Sequence, residues 1–377
     1  LDKLFHNKQL YTKFLACRGD SAQRLLDLLQ EILDYDSTVS PTNRRGLFKA
    51  LLRLSSNSKL YPRCFTLPGL QHQRHVAGGS FGDVYTGLLC DQSVAVKMMR
   101  VFRELDIDEL IRGFGQEALI WRQLSHPNLL PFYGLYFLQD RLCLVSPWME
   151  NGHIRHFLKK EIYDTNYLLS LILDVALGLE YLHANGIVHG DLKGDNIFVT
   201  PSHRACIADF GLASIITSLS SLQLTSKPTT GGTVRYQAPE VHKGGHRDQP
   251  SDIYSFACLV YEILTGSYPF PEIPTDMAVA LAVIAGLRPS RPPSCLGPTS
   301  LDGLWNLLQD CWEDSPKGRP VASDIVKCLM GNDIQATRTI SPEDWDHKFT
   351  SRFRRQFLDQ QQLPTVDELE RMIFGDD

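Results

Sequence analysis

Leu25, Leu28, Leu29, Ile32 and Leu33 recur at the three- and four-residue spacing of one helix face. Asp20, with Gln23 three residues on, reads as the start of that helix. Ser40-Pro41 reads as the opening of another, which carries Leu47, Leu51 and Leu54 on one side. From about residue 70 the pattern changes, and Val76, Val84, Tyr85, Val94, Ala95 and Val96 mark short strands around Gly-rich turns. A helix is expected near 106–124, with further strands at 129–136 and 142–145. Beyond Glu150 the chain reads as mostly helical, with long apolar patterns at 167–183 and 251–264. A small sheet-rich half followed by a larger helical half predicts an α+β, two-lobed enzyme with a cleft between the lobes. The last 45 or so residues are polar, with an amphipathic piece expected at 346–357. The sequence has no internal repeat.

Composition narrows this picture. A chain of 377 residues suggests two or three domains or lobes, and 43% hydrophobic residues are enough for a sizeable core. The net charge of -5 provides no strong field to recruit nucleic acid. Nine scattered cysteines form no metal-spaced cluster and point to a reducing, cytoplasmic setting. No apolar run is seen to approach the ~20 residues of a membrane span, so none is expected. No secretory signal is seen, and an opening Leu rather than Met is what a fragment would show. Residues 1–65 carry 11 Lys and Arg against 6 Asp and Glu, a net of +5. They are expected to form a helical segment with a docking or regulatory role, and hence a partner. Residues 333–377 carry 10 acidic against 6 basic residues, a net of -4, and are expected to be a solvated charged tail.

Candidate chemistry lies between these flanks. In Ala77-Gly78-Gly79-Ser80-Phe81-Gly82-Asp83-Val84, glycines allow backbone N–H groups to approach phosphates closely. There is no G-x-x-x-x-G-K-[ST] loop. Lys97 ends the apolar run Val94-Ala95-Val96-Lys97 and needs an anionic partner if buried. Glu117 is preferred for that role over Glu104 and Glu109, because it falls mid-helix before the next strand. His189-Gly190-Asp191-Leu192-Lys193-Gly194-Asp195-Asn196 follows. There Asp191 can accept a hydroxyl proton, Lys193 can neutralise charge on a phosphoryl group, and Asn196 offers a carbonyl oxygen to Mg²⁺. Asp209-Phe210-Gly211 supplies a second metal-binding carboxylate, and Ala238-Pro239-Glu240 closes the intervening segment.

This ordered motif set resembles that of eukaryotic-type protein kinases, over residues 70–332. It is most similar to the tyrosine-kinase-like group, which mostly phosphorylates serine and threonine. The resemblance implies an N-lobe at 70–148 and a C-lobe at 149–332. It implies ATP and Mg²⁺ as cofactors and a protein with Ser or Thr hydroxyls as substrate. Gly78, Gly79, Ser80 and Gly82 would then lie over the phosphates, with Val76, Val84, Ala95 and Phe198 lining the nucleotide pocket. Lys97 would hold the α- and β-phosphates and pair with Glu117. Ser146 resembles the gatekeeper, ahead of a hinge of Pro147, Trp148 and Met149. Asp191 would be the base, and Asn196 and Asp209 the Mg²⁺ ligands. Asp252 would brace the catalytic loop, and Arg319 would pair with Glu240. Lys193 and Thr233 match the serine/threonine type, in which that Thr bridges the base and the Lys.

Two departures stand out. Ala77 replaces the first glycine of the loop, which implies weaker ATP binding at most. Gly190 stands where many kinases have an Arg that receives an activation-loop phosphate. The base, the Lys and the metal ligands are kept, so the chemistry is expected to remain while that switch weakens. The hydroxyl-rich run from Thr217 to Thr230 is expected to be a loop whose phosphorylation is not essential. The competing expectation, a nucleotide-binding pseudokinase scaffold, would usually have lost Lys97, Asp191 or Asp209, and all three are present.

Overall fold

The structure, a computed structural model, describes residues 7–35, 40–78, 82–99, 119, 121–138, 141–209, 233–292, 299–331, 333–334, 336–337, 344–346, 349–355, 368 and 371. The chain folds as two compact units. One comprises residues 1–125, 131–148 and 347–377, and the other residues 126–130 and 149–346.

The first unit opens with helices α1 (Lys8–Ala16), α2 (Gly19–Tyr35) and α3 (Pro41–Ser58). Asn7 caps α1 by accepting from the N–H groups of Gln9 and Leu10. Ser40 caps α3 ahead of Pro41, and Lys59 ends it at φ 60°. The start expected at Asp20 differs. Asp20 lies in the first turn of α2, and Gln23 donates instead to Asp27 Oδ1 at 3.2 Å and to Tyr61 O at 2.7 Å. Leu26, Leu29 and Leu33 of α2 and Leu47, Leu51 and Leu54 of α3 are buried.

Strands β1 (Gln71–Gly78), β2 (Gly82–Leu89), β3 (Gln92–Met99), β4 (Gly134–Leu138) and β5 (Arg141–Pro147) form an antiparallel sheet in the order β1-β2-β3-β5-β4. Period-two alternation sorts β3. Val94, Val96 and Met98 enter a core with Leu89, Cys143, Val145 and Tyr133, while Ala95 and Lys97 take the other face. The C-terminal helix Phe349–Arg355 also belongs to this unit. Phe353 is buried in the same core and stacks on Tyr133 at 3.7 Å between ring centroids. The helix falls within the amphipathic piece expected at 346–357, whereas the expectation of a solvated tail is corrected at these residues, whose aromatic side chains have a surface to bury against. Arg24 and Glu368 form an ion pair at 3.2 Å. Both partners are partly exposed, so it contributes ~1 kcal/mol at most.

The second unit is mainly helical. Its described helices of nine or more residues are α4 (Thr165–Ala184), α5 (Gln249–Thr265), α6 (Asp276–Ile284), α7 (Thr299–Cys311) and α8 (Ala322–Met330). A two-stranded sheet of β6 (Ile197–Val199) and β7 (Ala205–Ile207) accompanies them. α5 begins with a reciprocal capping box between Asp248 and Ser251 and ends at Gly266 with φ 67°. The expectation that no segment reaches spanning length is corrected: α4 is long and apolar enough by length and composition. Twelve of its 20 residues are buried, including Asp174, which pairs with Arg204 at 2.7 Å. Asp344 accepts from Ser202 N–H at 3.1 Å and Ser202 Oγ at 3.0 Å, and Trp345 donates to His126 O at 3.1 Å.

Candidate functional site

In the first unit, the sheet register gathers several predicted residues on one face. Lys97 pairs with Val84 on one side and Leu144 on the other, while Ala95 lies between Thr86 and Ser146. Directly opposed residues share a face, so Val84, Ala95, Lys97 and Ser146 lie together, opposite the core side. Gly78 pairs with Asp83 where β1 meets β2, and Val76, at a register shift, is half exposed. Gly82 opens β2. Pro147 ends β5 opposite Val94, and the next residue, Trp148, donates its N–H to Ser93 O at 3.1 Å. Gly79, Ser80 and Glu117 lie outside the described residues, as does the hydroxyl-rich run after Phe210.

The second unit assembles the other predicted residues around the chain from His189 to Asn196. Asp252 of α5, 1% exposed, organises it from below. Its Oδ2 accepts from His189 N–H at 2.7 Å, its Oδ1 from Gly190 N–H at 2.8 Å, and His183 Nε2 lies 3.0 Å from Oδ2. His189 is buried; its Nδ1 accepts from Asp191 N–H at 3.1 Å, so its Nε2 carries the proton and donates to Ala208 O at 3.0 Å. Gly190 has φ +76°, a conformation that side-chain-bearing residues adopt only with strain. The residue replacing the familiar Arg is thus the one best suited to this backbone.

Asp191 carries the centre of the cluster. Lys193 Nζ lies 2.8 Å from Asp191 Oδ2 and 2.7 Å from Thr233 Oγ1, bridging the two. Asn196 Nδ2 donates to Asp191 O at 2.7 Å and to Asp191 Oδ2 at 3.2 Å. Spending its amide nitrogen this way presents the Asn196 carbonyl oxygen as an acceptor. Asp209 follows Ala208, whose N–H donates to Asn196 O at 2.8 Å, and Asp209 itself has φ +58°. Phe198 lies on β6, paired with Cys206 and bridged to His153. Met149 is buried, and its C=O accepts from Gly152 N–H at 3.0 Å. Arg319 grips Glu240 with two parallel bonds, at 2.6 and 2.8 Å.

Several residues around this cluster escaped the sequence reading. Glu262, 2% exposed, accepts from Gly194 N–H at 3.1 Å and from Tyr236 Oη at 2.7 Å, and its other oxygen accepts from Arg155 Nε. A second carboxylate after Asp252 inside the apolar run 251–264 was its only signal, and Arg155 had none. In the first unit, Arg122 pairs with Asp34, rests its guanidinium 4.6 Å from the Phe65 ring centroid, and donates to Cys64 Sγ at 2.8 Å.

A family model for protein tyrosine and serine/threonine kinases matches residues 70–329. The chain is 33% identical over 288 residues to serine/threonine-protein kinase STY17 of Arabidopsis thaliana, covering 73% of this chain and 48% of the relative. It is 32% identical over 258 residues to serine/threonine/tyrosine-protein kinase HT1 of Arabidopsis thaliana, covering 67% and 64%. It is 31% identical over 339 residues to human mitogen-activated protein kinase kinase kinase 10, covering 83% and 33%. The chain spans less than two thirds of the length of each of these relatives.

Proposed function

Because the chain belongs to the protein tyrosine and serine/threonine kinase family, with relatives of the tyrosine-kinase-like type, we propose that it transfers the γ-phosphoryl group of ATP to serine or threonine hydroxyls of a protein substrate. The observation that carries the hydroxyl preference is the Lys193 bridge between Asp191 and Thr233. In this reading Asp191 is the base. Its Oδ2 is engaged by Lys193 and Asn196, and among the described residues its Oδ1 has no hydrogen-bond partner. That oxygen accepts the substrate's hydroxyl proton as the oxygen attacks phosphorus. Lys193 neutralises charge on the phosphoryl oxygens in flight. Lys97, in this role, binds the α- and β-phosphates and pairs with Glu117. Gly78, Gly79, Ser80 and Gly82 cover the phosphates, while Val76, Val84, Ala95, Ser146, Pro147, Met149 and Phe198 receive the adenosine portion.

The donor set suits Mg²⁺: a carboxamide oxygen from Asn196 and a carboxylate from Asp209 are hard oxygen ligands, and Mg²⁺ usually completes its shell with phosphates and water. When bound, the ion neutralises phosphate charge and orients the leaving group. An intracellular setting fits the same reading, since the eight described cysteines are free thiols.

Residues 1–65 act in this proposal as a brace on the first unit. The buried Arg122–Asp34 pair and the Gln123–Gln30 hydrogen bond at 3.3 Å tie α2 to residues 121–123, which are helical. Phosphosite mapping after incubation with ATP and Mg²⁺, on the protein and on a generic basic substrate, tests the hydroxyl preference. Phosphoserine and phosphothreonine are expected; phosphotyrosine alone would overturn the assignment built on Lys193 and Thr233.

A further inference from the structure

Glu262 is a buried carboxylate one helix away from the residues proposed to do the chemistry, and its three partners converge from separate parts of the second unit. Gly194 N–H comes from the loop between Lys193 and Asn196, Tyr236 Oη from the turn after Thr233, and Arg155 Nε from the short helix Ile154–Leu158. A Cβ on Gly194 would lie 2.4 Å from Glu262 Oε2, so only glycine admits the carboxylate this close. Arg155 extends the same network. Its Nη2 donates to Tyr236 Oη at 3.1 Å, and its Nη1 lies 3.5 Å from Asp195 Oδ1, the next loop residue. Its guanidinium sits 3.8 Å from the Tyr268 ring centroid, with Nη1 also bonded to the Tyr268 hydroxyl.

We propose that Arg155 and Glu262 form a positioning pair, working through Gly194 and Asp195 to hold Lys193 and Asn196 in register with Asp191. This rests on the kinase reading of the site. A buried carboxylate without its cation is costly, so the loop's N–H contact depends on Arg155 even though Arg155 does not touch Gly194. Tyr236 cannot substitute: burial, reinforced by Glu262, holds its hydroxyl protonated well above the usual tyrosine range, so it remains a neutral donor. The pair acts on the geometry of the transferring groups. It should therefore set kcat and leave nucleotide affinity alone.

The test is steady-state phosphotransfer, with ATP and a peptide acceptor, by the full chain and by Arg155→Met, Arg155→Lys, Glu262→Gln and the Met/Gln double variant. Arg155→Met is expected to lower kcat about tenfold with KM for ATP within about twofold, since misplacement of reacting groups costs rate more than binding. Arg155→Lys, which restores the cation, should recover part of that loss. The double variant should lose much less than the product of the two single losses, because the pair works as a unit. Tyr236→Phe, which removes one donor and keeps the ring, supplies a milder probe if Arg155→Met does not fold, and should lower kcat in the same selective way. If kcat stays within twofold of the unmodified protein in Arg155→Met, or in Tyr236→Phe where that variant is used, the pair is structural only. Fully multiplicative losses would overturn the coupling. An unmodified protein that transfers no phosphate overturns the kinase reading itself, a different result from active protein with indifferent variants.

Discussion

Gly190 and Asp209 are neighbours of the proposed chemistry, and both sit at positive φ, +76° and +58°. At Gly190 the chain must turn so that two consecutive N–H groups reach the Asp252 carboxylate. Glycine adopts that geometry without strain, whereas a Cβ costs about 1–2 kcal/mol there. Gly190→Ala is therefore expected to lower stability by about 1 kcal/mol in urea unfolding. An unchanged midpoint would mean that the backbone relaxes away from this conformation. The same residue that removes the familiar phosphate receptor thus relieves the backbone, which is why its presence is no mark of a lost activity.

At the scale of elements, the clearest addition to the kinase region is α2. Burial alone would lower the pKa of Arg122, but Asp34 and Cys64 beside it raise it, so the guanidinium stays charged inside the unit. Removing one partner of a buried pair leaves the other uncompensated. Asp34→Ala is expected to cost about 3–5 kcal/mol, read by chemical denaturation. A loss below 1 kcal/mol would demote the proposed brace to a loosely attached segment. Which elements were legible in the sequence follows from the range of the interactions that form them. The alternation through Val94, Ala95, Val96, Lys97 and Met98 and the Ser40-Pro41 cap are local patterns, and both are found in the structure. The Arg122–Asp34 and Arg155–Glu262 pairs span 88 and 107 residues, and no periodicity carries such pairings. The C-terminal helix falls within the amphipathic piece expected at 346–357, but the surface it packs on was not legible: Trp345, Phe349 and Phe353 find their partners only in the folded chain.

For the whole molecule, the order of the motifs was legible because a strand-rich stretch precedes long apolar helices, whereas the joining of residues 1–65 and 347–377 to the first unit was not. The close geometry of the second unit's cluster was legible only in part: the brace from Asp252 was expected from the resemblance, whereas Glu262 reaching back from α5 was not. Acid sensitivity is a property of the same scale. Burial, the largest influence on each, pushes His153 and His242 below the ordinary histidine value of 6.5. The unfolded chain then takes up protons before the folded one does. Their contribution to stability is complete above pH 6.5 and is lost as pH falls toward the depressed folded values. The urea midpoint is expected to hold near pH 7.5 and to decline by pH 5.5. A midpoint that rises on acidification would contradict the assignment.

The most direct measurement compares the full chain with Asp191→Asn for ATP binding and for Mg²⁺-dependent phosphate transfer to a basic protein. Near-equal ATP affinity is expected for the two proteins, with a rate at least about 100-fold lower in the variant, the lower end of what a positioned base supplies. Transfer that survives Asp191→Asn undiminished, or an unmodified protein that binds ATP and never transfers phosphate, would contradict the proposed function.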